Sequence, residues 1–257
     1  MTRRKFLPAA ALGALSASAQ SKQPSIFEIR IAHLRNSAGN QRKRFTDFLE
    51  QAALPALQRA GIGPLGFFSS SIGEETPYVM AIAGYPSLAA MEERRAKFAA
   101  DAQYAKALAA FNAQPGLNYE RLDSMLLRAF PSHPDLIVPS DIQGRPARLF
   151  ELRRYESNNS ATLARKIKML ETAEIPIFER LGMRTVFFAE TFVGPKMPNL
   201  TYMLSFDDLA SREKLWRAFG ADPEWQKLRT APGNSDAEIV SNISNSILSP
   251  LPFSPIR

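Results

Sequence analysis

Glu28 and Arg30 stand two residues apart, and the same pair returns as Glu151 and Arg153, with Tyr155 two residues further on. In an extended chain alternate residues share a face, so each carboxylate lies about 7 Å from its guanidinium by strand rise, near enough to pair directly or across strands. Such a set can line a polar pocket in which Arg30 or Arg153 receives an anionic group of a ligand. It can equally satisfy itself as an ion-pair network at the seam between two units. Recurrence favours the network, because a duplicated seam needs both copies and a single site does not. Glu190 and Tyr202 join the candidates. With Thr191 and Ser205 they fall on central strands of the second half, where the first half has the small residues Ser69, Ser70, Ala81 and Gly84. That asymmetry could leave a one-sided cavity, in which Arg153, Glu190 and Tyr202 would orient a substrate.

Other chemistries find little support. The chain has two histidines, His33 after the first strand and His133 beside Pro134, and no His pair at i, i+3 or i+4, so neither a haem nor a metal site is expected. There is no cysteine, which rules out disulfides, thiolate catalysis and Cys-based zinc sites. Asp207-Asp208 stands just before an apolar periodic run, which makes it a helix cap. The glycines of Gly61-Ile62-Gly63-Pro64-Leu65-Gly66 lead into a strand pattern instead of a helix, unlike a phosphate-cradling loop. No cofactor is called for, and no catalytic residue is assigned.

The elements that must position these residues occur twice. Phe27-Glu28-Ile29-Arg30 returns as Phe150-Glu151-Leu152-Arg153, Pro55 as Pro176, Gly61 as Gly182, Phe67 as Phe188, and Phe98-Ala99-Ala100-Asp101 as Phe219-Gly220-Ala221-Asp222. Residues 148–155 alternate as a strand, 161–181 carry apolar residues at helical spacing around Pro176, and 185–193 and 200–206 are rich in β-branched and aromatic residues. A second helix over 209–219 and a strand over 238–248 complete a βαββαβ order, the ferredoxin-like unit. The first copy repeats it over 26–32, 41–60, 65–72, 78–84, 88–111 and 118–127. The domains are then 25–128 and 148–249, joined by a proline-rich linker over 129–147.

Residues 1–20 read as an export leader. Arg3-Arg4-Lys5-Phe6-Leu7 precedes a mildly apolar run over 9–17 and the small-x-small site Ala17-Ser18-Ala19. The segment resembles a twin-arginine signal, which implies a periplasmic or secreted protein. Its apolar run is too short to span a bilayer, so the mature chain is expected to have no stable membrane span. Of the formal charge of +7, Arg3, Arg4 and Lys5 supply three, leaving roughly +4 with acids and bases interspersed. Without a basic stripe interleaved with aromatics, nucleic acid is not an expected partner.

Phe150-Glu151-Leu152-Arg153-Arg154-Tyr155, Glu174-Ile175-Pro176-Ile177-Phe178, Gly182, Leu200-Thr201-Tyr202-Met203, Asp207-Asp208-Leu209 and Trp225 together resemble a NIPSNAP domain, of which the first copy is a diverged version. The resemblance implies an α+β protein of the dimeric α+β barrel group, closed here within one chain. It leaves the biochemistry open, because relatives sharing that barrel include monooxygenases, haem enzymes and binding proteins. If the apolar face of each first strand packs on its own helices, then Glu28, Arg30, Glu151, Arg153 and Tyr155 look into the barrel interior. Three functions follow: binding of a small anionic or amphipathic ligand in the barrel, a cofactor-independent monooxygenase using the same cavity, or a protein-interaction module. A homo-oligomer could form through the helix carrying Trp216.

Overall fold

The computed structural model describes residues 25–36, 39–139 and 146–257; residues 1–20, expected as an export leader, lie outside the described residues. Eight strands alternate with helices: β1 (Ile26–His33), α1 (Gln41–Phe48), α2 (Leu54–Arg59), β2 (Leu65–Ile72), β3 (Tyr78–Tyr85), α3 (Leu88–Ala99), α4 (Ala102–Asn112) and β4 (Arg121–Ala129) form the first repeat. The second has β5 (Leu149–Glu156), α5 (Ser160–Met169), α6 (Ile175–Arg180), β6 (Arg184–Val193), β7 (Asn199–Phe206), α7 (Leu209–Ala221), α8 (Pro223–Arg229), α9 (Asp236–Ile239) and β8 (Asn242–Pro250). The strands close into one barrel in the order β1-β3-β2-β8-β5-β7-β6-β4. Each repeat contributes four antiparallel strands, and β2–β8 and β4–β6 join the halves. Closure leaves no sheet edge exposed. It joins within one chain what a dimeric α+β barrel assembles from two.

The alternation of β1 and β5 decides which face meets the helices, and it does so against expectation. Phe27, Ile29, Phe150 and Leu152 share one core cluster with residues from all eight strands, which is the barrel lumen. Across it the Phe27 and Phe187 rings meet edge-on at 5.6 Å, and Phe68 and Phe150 at 4.9 Å. Leu136 from the segment between the repeats and Ile256 from the C-terminal tail are buried in the same cluster. Glu28, Arg30, Glu151, Arg153 and Tyr155 therefore face outward, beneath the helices. The large aromatic and aliphatic side chains at the alternate positions fill a closed lumen, whereas the helical layer can still admit a polar side chain that reaches its rim.

Two local devices shape the helical layer in both repeats. Pro55 and Pro176 each follow a π-helical turn, Leu49–Ala53 and Leu170–Glu174. A proline ring crowds the carbonyl four residues back and offers no N–H, and widening the preceding turn relieves that conflict without a break. The run over 88–111, expected as one helix, divides at Asp101, whose carboxylate caps α4 through the Tyr104 N–H at 2.8 Å and pairs with Arg59 of α2. Asp222 does the same for α8 and Arg180, so the repeated Phe-x-Ala-Asp motif is a helix stop that anchors the next start. At the other end, 236–239 is a short helix with a Ser235/Glu238 capping box, and β8 begins only at Asn242.

Candidate functional site

The register places Arg30 opposite Ala81 and Arg153 opposite Tyr202, so the two repeats can be compared atom for atom beneath their helices. In the second repeat both oxygens of the buried carboxylate are engaged, although Arg153 Nε and the Ser205 hydroxyl have no hydrogen-bond partner. Glu151 is fully buried and accepts from Arg153 at 2.9 Å, from Arg212 at 2.5 and 3.0 Å, and from the Trp216 indole at 2.7 Å. Arg153 also donates to the Tyr155 hydroxyl, which in turn meets the Tyr202 hydroxyl at 3.1 Å. Burial opposes the charge on Arg153, yet Tyr202, Tyr155 and Glu151 hold its pKa above the ordinary value. Burial also pushes Tyr202 well up, so it stays a neutral phenol. Tyr202, fully buried, stacks on Phe188 at 5.2 Å and Phe178 at 6.2 Å. Behind it, Lys166 and Glu174 form a buried pair at 2.8 Å. Trp216, half-buried, packs onto Phe178 and Phe219. Glu190 lies on β6 opposite Arg128 of β4, apart from this network.

The first repeat has the same scaffold with its filling removed. Tyr155, Tyr202 and Leu204 correspond to Ala32, Ala81 and Ala83. Lys166 and Glu174 correspond to Phe45 and Ala53, and Arg212 and Trp216 to Met91 and Arg95. The result is a cavity of about 370 Å³ between the sheet and α1–α4, lined by Ala32, Ala81 and Ala83 below and by Phe45, Phe48, Phe98, Tyr104 and Phe111 above. Phe48 stacks on Phe111 at 4.3 Å, and Tyr104 packs tilted against Phe98 at 4.3 Å, which makes an aromatic roof. Burial raises the Tyr104 hydroxyl above its usual pKa. Such a volume, mostly apolar with a few converging polar groups, is typical of small-molecule sites.

Those polar groups surround Glu28. Its side chain is 5% exposed, and Tyr85 donates to Oε2 at 3.1 Å. Oε1 has no hydrogen-bond partner; Arg95 and Arg30 approach it only to 3.6 and 3.9 Å, with their own side chains 47% and 44% exposed at the rim. Burial, then the nearby Glu28 charge, raises the Tyr85 phenol, so Tyr85 remains a donor. Sequence reasoning named Glu28 and Arg30 but missed Arg95 and Tyr85. The signal was available in the substitution of Trp216 by Arg95 at an equivalent helix position.

One more cluster lies at the barrel end. His33, expected to be solvated, is buried and bonds Asp123 at 2.8 Å, with Glu75 at 3.5 Å. The three groups could approach one ion. However, Arg121 pairs with Glu75 and lies 3.6 Å from Asp123, so the positive charge among them is already supplied.

Fold and site together define a fused α+β barrel with one packed and one hollow helical layer. The NIPSNAP family profile matches residues 30–133 and 150–255, and the chain belongs to the NIPSNAP family. No curated protein matches it. Among solved structures it is similar to a candidate monooxygenase of Lactobacillus acidophilus, at 10% identity and TM-score 0.56, covering 89% of this chain and 94% of that one. It is also similar to a candidate monooxygenase of Fusobacterium nucleatum, at 8% identity and TM-score 0.57, covering 89% and 93%. A NIPSNAP family protein of unknown function from Agrobacterium tumefaciens aligns at 23% identity over 43% of this chain and 95% of its own, with a TM-score of 0.38. At these identities the likeness of the two candidate monooxygenases establishes the barrel fold alone.

Proposed function

We propose that this protein binds a small amphipathic molecule in the first-repeat cavity, with its apolar body under the aromatic roof and its polar end at Glu28, Arg30 and Arg95. The observation that carries the reading is the internal comparison. One scaffold, folded twice in one chain, is solid where Tyr155, Tyr202 and Leu204 stand and hollow where Ala32, Ala81 and Ala83 replace them. An apolar-lined cavity of this size with a polar rim has the form usual for a small-molecule site. The test is titration with the neutral dye N-phenyl-1-naphthylamine, whose fluorescence rises in apolar surroundings. One site per chain, lost in the Ala81→Leu/Ala83→Leu variant while circular dichroism is unchanged, supports the reading. Undiminished binding in that variant contradicts it.

Oxygenation of a bound substrate is the second reading, a chemistry proposed for two proteins that share the barrel. Were it so, the chemistry would belong to the hollow repeat, because Arg153 and Tyr202 are spent on neighbours and Glu190 lies elsewhere. Turnover of a bound aromatic under oxygen, abolished by Ala81→Leu/Ala83→Leu, is its test. The twin-arginine-like leader adds the proposal that the ligand is met outside the cytoplasm. N-terminal sequencing of protein from the periplasm or medium, starting just after Ala19, is the result that reading requires.

A further inference from the structure

Resting on the cavity reading, we infer that the ligand is a hydroxyl-bearing apolar molecule, a phenol or an alcohol, which donates its O–H to Glu28 Oε1 and accepts at its oxygen from Arg95 or Arg30. The same carboxylate appears in both repeats with different demands. Glu151 has four donor contacts, and three of them come from Arg212 and Trp216. Their counterparts are Met91, which has no donor, and Arg95, which stops at 3.6 Å. Glu28 Oε1 is thereby left buried at the cavity wall without a hydrogen bond, a costly state for a carboxylate oxygen unless a guest supplies the donor.

The chemistry around that oxygen selects the guest. A carboxylate or sulfonate has no proton to give and would set a second anion against Glu28. An ammonium could donate, but it would enter between two guanidiniums that offer only donors. An ether can accept from Arg95 but leaves Oε1 unmet. A neutral hydroxyl both donates and accepts, and it meets both demands with one atom. Phenols keep their proton at neutral pH, with ordinary values near 10, and an aromatic ring suits a roof built of Phe48, Phe98 and Phe111.

The experiment compares three probes of one shape on the mature chain by titration calorimetry at pH 7: 1-naphthol, 1-methoxynaphthalene and 1-naphthoate. A charge-assisted hydrogen bond gained in a buried site predicts naphthol binding about tenfold or more tighter than the methyl ether. The same measurement is made on Met91→Arg/Arg95→Trp, which installs the donors that hold Glu151 and is expected to stay folded because the second repeat folds with them. In that variant the naphthol preference falls to about onefold, because Oε1 is already occupied. Equal binding of all three probes by the unaltered chain overturns the hydroxyl assignment and leaves the cavity reading standing. Tightest binding of naphthoate overturns it in favour of an anionic head. Failure of every probe to bind removes the cavity reading itself.

Discussion

The account makes one position behave oppositely in its two copies, Ala81 and Tyr202. Replacing Ala81 by leucine places three more carbons into existing space. At about 0.8 kcal/mol per buried methylene that gains about 2 kcal/mol, from which fixing the leucine rotamer removes about 0.5–1 kcal/mol. The net is a stabilisation of about 1–1.5 kcal/mol, or a rise in Tm of roughly 2–6 °C for a chain of this size. Tyr202→Ala empties a fully buried position stacked between Phe178 and Phe188. It should cost about 3–5 kcal/mol, as large-to-small aromatic substitutions in cores do. Urea unfolding of the mature protein, followed by tryptophan fluorescence and circular dichroism at constant m-value, measures both. A loss of about 1–3 kcal/mol for Ala81→Leu is the signature of overpacking. It would mean that the first repeat has no spare space, and the argument for a ligand would go with it.

Three further outcomes concern the helical layers. Although burial works against its charge, Lys166 is held above its usual pKa by Glu174, so Glu174→Ala strands a buried ammonium and should cost about 3–5 kcal/mol. Lys166→Met/Glu174→Ala, which approaches the Phe45/Ala53 solution of the first repeat, should recover most of that loss in the same urea assay. Asp101 is held at about 2 by its hydrogen bond to Arg59 and by the Tyr104 N–H, below the roughly 3.9 of an unfolded aspartate. Its stabilisation is complete above about pH 4 and is lost as pH falls through about 2. Asp101→Asn should flatten the acid limb of the unfolding midpoint between those values, and an unchanged limb would remove Asp101 as a clamp on the roof of the cavity.

Much of the architecture was legible because the repeat supplied its own control. Two copies of βαββαβ in one chain require two sheets that can close on each other, and matching Pro55 to Pro176 and Gly61 to Gly182 fixed where helices bend and stop. What sequence could not decide was which face of β1 and β5 meets the helices. Phe27/Ile29 and Glu28/Arg30 alternate equally well in either sense, and only the closed lumen, with its need for bulky apolar filling, chooses. The site was half visible for the same reason. Glu28 and Arg30 declare themselves by type. The cavity arises from what is missing at Ala32, Ala81 and Ala83, and small residues signal nothing until the copy that fills the space lies beside them. The small residues opposite Tyr202 and Ser205 did point to a one-sided cavity. The error was to seek its polar groups on the filled side. Arg95 escaped notice because an arginine on an amphipathic helix looks like a solvated face until its counterpart proves to be Trp216, bonded to Glu151.

The central claim, that the first repeat is a receptor and the second its solid counterpart, is tested most directly by amide chemical-shift mapping of the mature 15N-labelled protein titrated with 1-naphthol. The account predicts shifts concentrated at Ala32, Phe45, Ala81, Ala83 and Arg95, with Tyr155, Lys166, Tyr202, Leu204 and Trp216 unmoved. Shifts of equal size in both repeats, or centred on the lumen residues Phe27, Phe150 and Met203, would contradict it.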